Sequence, residues 1–250
     1  MKHENKRLIH EKGYTFYNPR FSSNGEKITF IGRNNKTSES SIWVTNDNGK
    51  SKHKLYEVEG IIAEAVSSLD NRSIYFTKAL DYKAYSPLAP KAAHNFDIYQ
   101  LSLETNEVTK ITELEAYSLY TITDADKERL LFSIKNHTSG IFFYNKKLKE
   151  LEQITAVNDT LNNSTSYTDP VLLNEKSIVC SSYYRLVKID LINKKEQTIL
   201  ASNGHQFSEV HYCKGLHRIY FRRDNDITKV CSVNENGKDF AEYLVIEDTP

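Results

Sequence analysis

One phrase recurs five times along this chain, and a phrase repeated at a fixed period restricts the fold more than composition can. Its fullest copy runs Tyr17-Asn-Pro-Arg-Phe-Ser-Ser-Asn-Gly-Glu-Lys-Ile-Thr-Phe30, then Ser41-Ile-Trp-Val-Thr45 and the turn Asp47-Asn-Gly49. The strand after the first turn reads Ile28-Thr-Phe30, Ile74-Tyr-Phe76, Leu130-Leu-Phe132, Ile178-Val-Cys180 and Ile219-Tyr-Phe221. By subtraction these copies start 46, 56, 48 and 41 residues apart. A second strand follows each: Ile42-Trp-Val44, Ile98-Tyr-Gln-Leu101, Ile141-Phe-Phe143, Leu186-Val-Lys-Ile189 and Thr228-Lys-Val230. β-branched and aromatic residues of this kind suit half-buried strands.

Polar turns separate the strands. Before the first landmark stand Ser23-Asn-Gly25, Leu69-Asp-Asn71, Asp124-Ala-Asp126, Asn174-Glu-Lys176 and Lys214-Gly215. Asn, Asp and Gly serve there because tight hairpins need positive φ or side-chain bonds to the backbone. Three hairpin-linked strands plus an outer fourth make one propeller blade, which takes about 40 to 50 residues. The reading is an all-β fold, a β-propeller with five blades at about 14–58, 61–114, 117–157, 166–201 and 206–247. A six-bladed or incomplete ring is the alternative. Lys6 to Gly13 align with Lys52 to Gly60, the first blade's outer strand and exit loop, so residues 4–9 read as an extra outer strand. They are expected to clasp the last blade and close one 250-residue domain, because a closed ring leaves no long unpaired edge.

Pro19, Phe21, Ser22, Gly25, Ile28 and Phe30 resemble the TolB-type propeller repeat, Pro-x-(aromatic)-Ser-Pro-Asp-Gly-x-x-Ile-x-Phe. Asn24 stands where that family has Asp, and Ser23 where it has Pro; of the later copies, Pro170 alone repeats the first proline. The resemblance covers nearly the whole chain. It implies the fold and leaves function open, since the repeat occurs in transport-associated proteins, peptidase gating domains and sugar-active enzymes.

Composition narrows the classes. Lys plus Arg equal Asp plus Glu at 33 each, which argues against a broad nucleic-acid surface. No apolar run reaches 18 residues, so no membrane-spanning helix is expected. Met1-Lys-His-Glu-Asn-Lys-Arg7 leads into no apolar stretch. A cytoplasmic protein is expected if Met1 is the native start, an extracytoplasmic one if a leader has been removed. Cys180, Cys213 and Cys231 lack the spacing of a disulfide framework or metal knuckle and read as small core fillers.

Propeller ligands commonly meet inner strands and the loops on one face. Asn18, Glu64, Asp169 and Glu209 occupy aligned inner-strand positions, with Tyr120 and Thr121 in blade three. Their carboxylates could line a water-filled channel, hold a cation, or serve glycoside cleavage. The second candidate is the excess between the second and third strands of blade two, residues 78–96. It carries Tyr82, Tyr85, His94 and Phe96 and reads as a loop over the channel mouth. A second long loop, 156–166, is polar. Asp124, Asp126, Asp224 and Asp226 lack the remaining residues of a calcium loop and read as turn formers. His211 lies two residues from Glu209, which strand alternation would place on one face.

No phosphate loop or nucleophile elbow is present. The function expected is therefore a non-catalytic binding or scaffolding propeller, without a cofactor. It would act as a monomer that meets a protein, peptide or glycan, with no nucleic acid. The alternatives are a carbohydrate-active enzyme and a domain docking on a separate catalytic chain.

Overall fold

The structure, a computed structural model, describes residues 9–47, 49–84, 86–88, 90–135, 139–155, 167–224 and 229–243, with the side chain of Tyr120 excepted. The chain divides into two compact units, residues 1–128 and 129–250. Its strands form five four-stranded antiparallel sheets, the blades of a β-propeller. The one helical element among the described residues is a 3-10 turn at Lys214–Leu216.

Blade one holds β1 (Tyr14–Phe21), β2 (Lys27–Asn34), β3 (Ser40–Asn46) and β4 (His53–Val58). Blade two holds β5 (Ile62–Ser67), β6 (Ser73–Lys83), β7 (Ala92–Ser102) and β8 (Val108–Lys110). Blade three holds β9 (Ser118–Asp124), β10 (Arg129–Lys135), β11 (Gly140–Asn145) and β12 (Glu150–Gln153). Blade four comprises β13 (Thr168–Asn174), β14 (Ser177–Ser182), β15 (Arg185–Asp190) and β16 (Glu196–Ala201). Blade five comprises β17 (Gln206–Cys213), β18 (Arg218–Asp224), β19 (Lys229–Asn234) and β20 (Ala241–Tyr243). Each blade is ordered as the chain runs, inner strand to outer strand.

The turn chemistry anticipated from sequence takes a concrete form. The Ser22 hydroxyl bonds Asn24 Oδ1 at 2.7 Å, and Ser68 bonds Asp70 Oδ1 at 2.6 Å, so Asn24 does what Asp does one blade later. At the end of the third strand, Asn46, Asn145, Asp190 and Asn234 each accept two backbone N–H groups of the turn that follows. These short polar side chains compete well for backbone donors and end the strand.

The core lies between sheets. Ile31, Ile42, Ile62, Ile74 and Phe76 pack blade one on blade two. Val179, Leu186, Val210, Ile219 and Phe221 do the same between blades four and five. In blade one, Phe16 meets Phe30 edge-on at 4.9 Å and Trp43 at 5.4 Å. Gly32 leaves room for that cluster, since a Cβ there would lie 2.5 Å from Trp43 Nε1. Cys180 and Cys231 are buried, and burial pushes both thiols up, away from reactive thiolate.

Of the expected N-terminal clasp, residues 4–8 lie outside the described residues. Ile9 packs on the cluster of Ile28, Phe30 and Trp43 in blade one. Loop 156–166 and Asp226 also lie outside the described residues.

Candidate functional site

Four inner-strand positions, Glu64 not among them, share a backbone anomaly. Asn18 (φ 49°), Thr121 (φ 44°), Asp169 (φ 54°) and Glu209 (φ 52°) all adopt the left-handed conformation. Register breaks there too: pairing skips between Tyr17 and Arg20, Thr168 and Val171, and Ser208 and His211. These are β-bulges, which re-aim side chains and often sit beside functional sites. A left-handed conformation costs a non-glycine residue about 1 to 3 kcal/mol and persists where the surroundings impose it. Sequence reading found the positions and missed the bulge. The bulge also breaks the simple alternation that would have set Glu209 and His211 on one face.

In the first unit, Asn18 and Glu64 come together. The Asn18 amide donates to Glu64 Oε1 at 3.1 Å and to the Ala63 carbonyl at 2.7 Å. Arg20 donates to Glu64 Oε2 at 3.2 Å. The Tyr17 hydroxyl donates to the Ile62 carbonyl at 2.9 Å, and burial raises its pKa. Glu64 is thus a buried strut between two blades. Arg20 was not singled out from sequence; its position two residues from Asn18 was the available signal.

In the second unit, Asp169 and Glu209 are neighbours. The Glu209 backbone N–H donates to Asp169 Oδ2 at 3.0 Å. Arg222 donates to Glu209 at 2.6 Å and, through Nε, to Asp224 at 2.6 Å. The Asp224 contact chiefly strengthens the hold of Arg222 on its proton. Asp224 also accepts the Ser208 hydroxyl at 3.0 Å, so it is a partner within the blade as well as a strand end. Thr121 is buried in β9. No group of three or more His, Cys, Asp or Glu among the described residues is arranged to hold a metal ion.

The insertion differs from the expected loop. Most of 78–96 is strand: β6 and β7 each run 11 residues and stay paired from Ser73↔Ser102 to Lys83↔Ala92. Pro87 and Pro90 fall at the tip, the one place where a missing N–H does not break the ladder. Phe96 is 6% exposed and bridges Ala116; His94 is buried, its ring 4.4 Å from that of Tyr117. These two anchor the hairpin's base. Tyr82 is 60% exposed, and Leu80 and Leu88 are 45% and 97% exposed. Tyr85 lies outside the described residues. Asp81 accepts from Lys83 at 2.6 Å and from Asn95 at 2.7 Å, and the Lys83 bond is the chief cause holding its carboxyl below the usual range.

Beside this hairpin lies a pocket of about 320 Å³, with Glu59 to Ile61 on one wall and Lys78 to Tyr82 on the other. The segment leading into inner strand β5 and the β6–β7 hairpin therefore share a face, as the architecture suggested.

No protein-family model matches the chain, and no curated protein matches it either. Solved structures do. TolB from Acinetobacter baumannii superposes with a TM-score of 0.68 at 16% identity, over 92% of this chain and 54% of that one. A candidate TolB from Agrobacterium tumefaciens gives 0.70 at 12% identity, over 92% and 80%. A chain of the nidogen/laminin complex gives 0.68 at 11% identity, over 92% and 79%. This chain thus spans about half of the Acinetobacter protein and four fifths of the other two. At such identities the likeness is one of fold, and the fold of this chain is a TolB-like β-propeller.

Proposed function

We propose that this chain is a non-catalytic binding propeller whose contact face is the one bearing the β6–β7 hairpin. One observation carries the reading: the longest departure from the repeat is a paired hairpin, fixed at its base by Phe96 and His94, that presents Leu80, Tyr82 and Leu88 to solvent. Rigid exposed aromatic area of this kind anchors interfaces. The fold agrees, since one similar structure is named for a complex between two proteins. The partner is a protein, peptide or glycan.

A carbohydrate-active reading would need carboxyl groups free to act as acid and base on either side of a glycosidic bond. Glu64 and Glu209 are instead each engaged by an arginine. A panel of immobilised glycans and extended peptides tests the proposal. Leu80→Ala/Tyr82→Ala should reduce binding at least about tenfold while the circular dichroism spectrum is unchanged, as expected for exposed anchors. A panel with no ligand, or an unaffected variant, would sink it. Turnover of any oligosaccharide, lost in Glu209→Gln, would promote the enzymatic reading.

A further inference from the structure

We infer that the β5-facing edge of β6, residues Leu80–Lys83, receives an extended peptide as an added strand, with a basic side chain of that peptide directed to Glu59. The inference rests on the binding role proposed above and names its ligand class. β5 pairs with β6 only as far as Ile62↔Lys78, and the last bond on that side runs from the Ala79 N–H to the Ile61 carbonyl at 2.9 Å. β6 nevertheless continues to Lys83, paired with β7 on its other side. Beyond Ala79, no described strand lies along the β5 side of β6.

Gly60 is the physical reason. Its φ of +116° is a conformation that residues with a side chain rarely adopt, and the chain turns there before β5 begins. The turn opens the pocket of about 320 Å³ between Glu59–Ile61 and Lys78–Tyr82.

Alternation sets which backbone groups face the gap. Ala79, Asp81 and Lys83 keep one register with Phe96, His94 and Ala92. Ala79 directs its N–H away from β7, to Ile61. The period of two therefore turns the Asp81 N–H and C=O the same way, into the pocket. A strand edge offering such groups is a template for an extended chain, the mode known as β-augmentation. Leu80 and Tyr82 share the face opposite Asp81 and would take apolar side chains at alternate positions of the added strand.

Charge selects the remaining feature. Among the carboxylates on the pocket walls, Asp81 is already bonded to Lys83 and Asn95. Glu59 has no hydrogen bond or ion pair among the described residues, so it is the carboxylate available to a Lys or Arg of the ligand.

The test uses fluorescein-labelled hexapeptides that alternate Val and Thr around one central Lys, with a matched set carrying Glu there. Fluorescence anisotropy should show the Lys set binding at least about tenfold more tightly, and Glu59→Gln should erase that preference. Asp81→Pro removes an N–H that β7 does not use, and should abolish binding of both sets. Asp81→Ala should retain binding, which separates the backbone bond from the side chain. Amide hydrogen exchange at Asp81 and Lys83 should slow in the complex, a change that a side-chain contact alone would not produce. Equal affinity for the two sets, full binding by Asp81→Pro, or dimerisation of the free protein through this edge would overturn the inference. If peptides bind and Asp81→Pro is silent, strand addition fails while the binding role stands. If no glycan or peptide binds at all, both fail.

Discussion

Two hairpins occupy the same place in the repeat, between the second and third strands of a blade, and they use it in opposite ways. In blade four, β14 and β15 are joined by Tyr183 and Tyr184 alone, with Ser182 paired to Arg185. Both turn carbonyls are in use: Tyr183 accepts the Phe207 N–H and Tyr184 accepts the Ser202 N–H, each at 2.8 Å. In blade two, the same connection extends into eleven-residue strands, and the far part of β6 has one partner strand instead of two among the described residues. A short turn satisfies its backbone against the next segment. A long hairpin keeps its inner ladder and opens an edge. Extra residues added as strand, unlike residues added as loop, bring hydrogen-bonding groups in fixed positions, and that makes the blade-two hairpin the better candidate for recognition.

The largest effect that could break this comparison is at the hairpin's base. Phe96→Ala should destabilise the protein by about 3 to 5 kcal/mol, the range for truncating a buried Phe. Leu88→Ala at the tip should change the unfolding free energy, measured by urea titration, by no more than about 0.5 kcal/mol. If both changes act alike, the hairpin is packed along its whole length and has no free edge. The next effect concerns the short turn. Tyr183 holds a φ of 49°, and Asn tolerates that conformation better. Tyr183→Asn should therefore raise stability by about 0.5 to 1 kcal/mol, less than the full left-handed penalty of about 1 to 2 kcal/mol. A loss instead would show that the contact of its ring with Tyr184, 6.4 Å away, matters more than the backbone.

A smaller change should follow from making the long hairpin resemble the short one. Replacing residues 83–92 by Asn-Gly closes the pair Tyr82↔Ala93, whose N–H and C=O groups face each other, with a two-residue turn. Stability should move by less than about 0.5 kcal/mol, and the edge at Asp81 should survive. Loss of folding would mean that the tip packs. The smallest expected effect is on pH dependence. The Lys83 bond lowers the Asp81 pKa, so its contribution is complete above the ordinary aspartate value of about 3.9 and disappears as pH falls through the lowered value. Melting curves of the native protein and of Asp81→Asn should keep a constant separation from pH 7 to 5 and converge only below pH 4. A difference that changes between pH 7 and 5 would show that a group other than Asp81 governs it.

Most of the architecture was legible because its determinants are local. Period-two strands around Ile28, Ile74, Leu130, Ile178 and Ile219, with Asn, Asp and Gly turns between them, specify hairpins. Copies at blade-like spacing specify a propeller. The Ser22–Asn24 turn was likewise readable, because its donors and acceptors lie within a few residues. The site was only half legible. Asn18, Glu64, Asp169 and Glu209 could be picked out as aligned polar residues, but their partners Arg20 and Arg222 could not. Whether a carboxylate meets an arginine depends on strand register and on a bulge.

What the sequence by itself determined was the pairing of strands within blades and the five copies of the repeat, since each follows from alternation and turn chemistry over short separations. Tertiary structure decided the rest. It placed Glu64 between Asn18 and Arg20 across two blades. It imposed the left-handed conformations, which no propensity favours at Thr121 or Glu209. It turned residues 78–96 from an apparent loop into a hairpin whose ladder continues past the point where β5 begins, with Phe96 bridged to Ala116 at its base. Contacts between residues distant in the chain set these features, and their energies outweigh the local preferences from which a sequence is read.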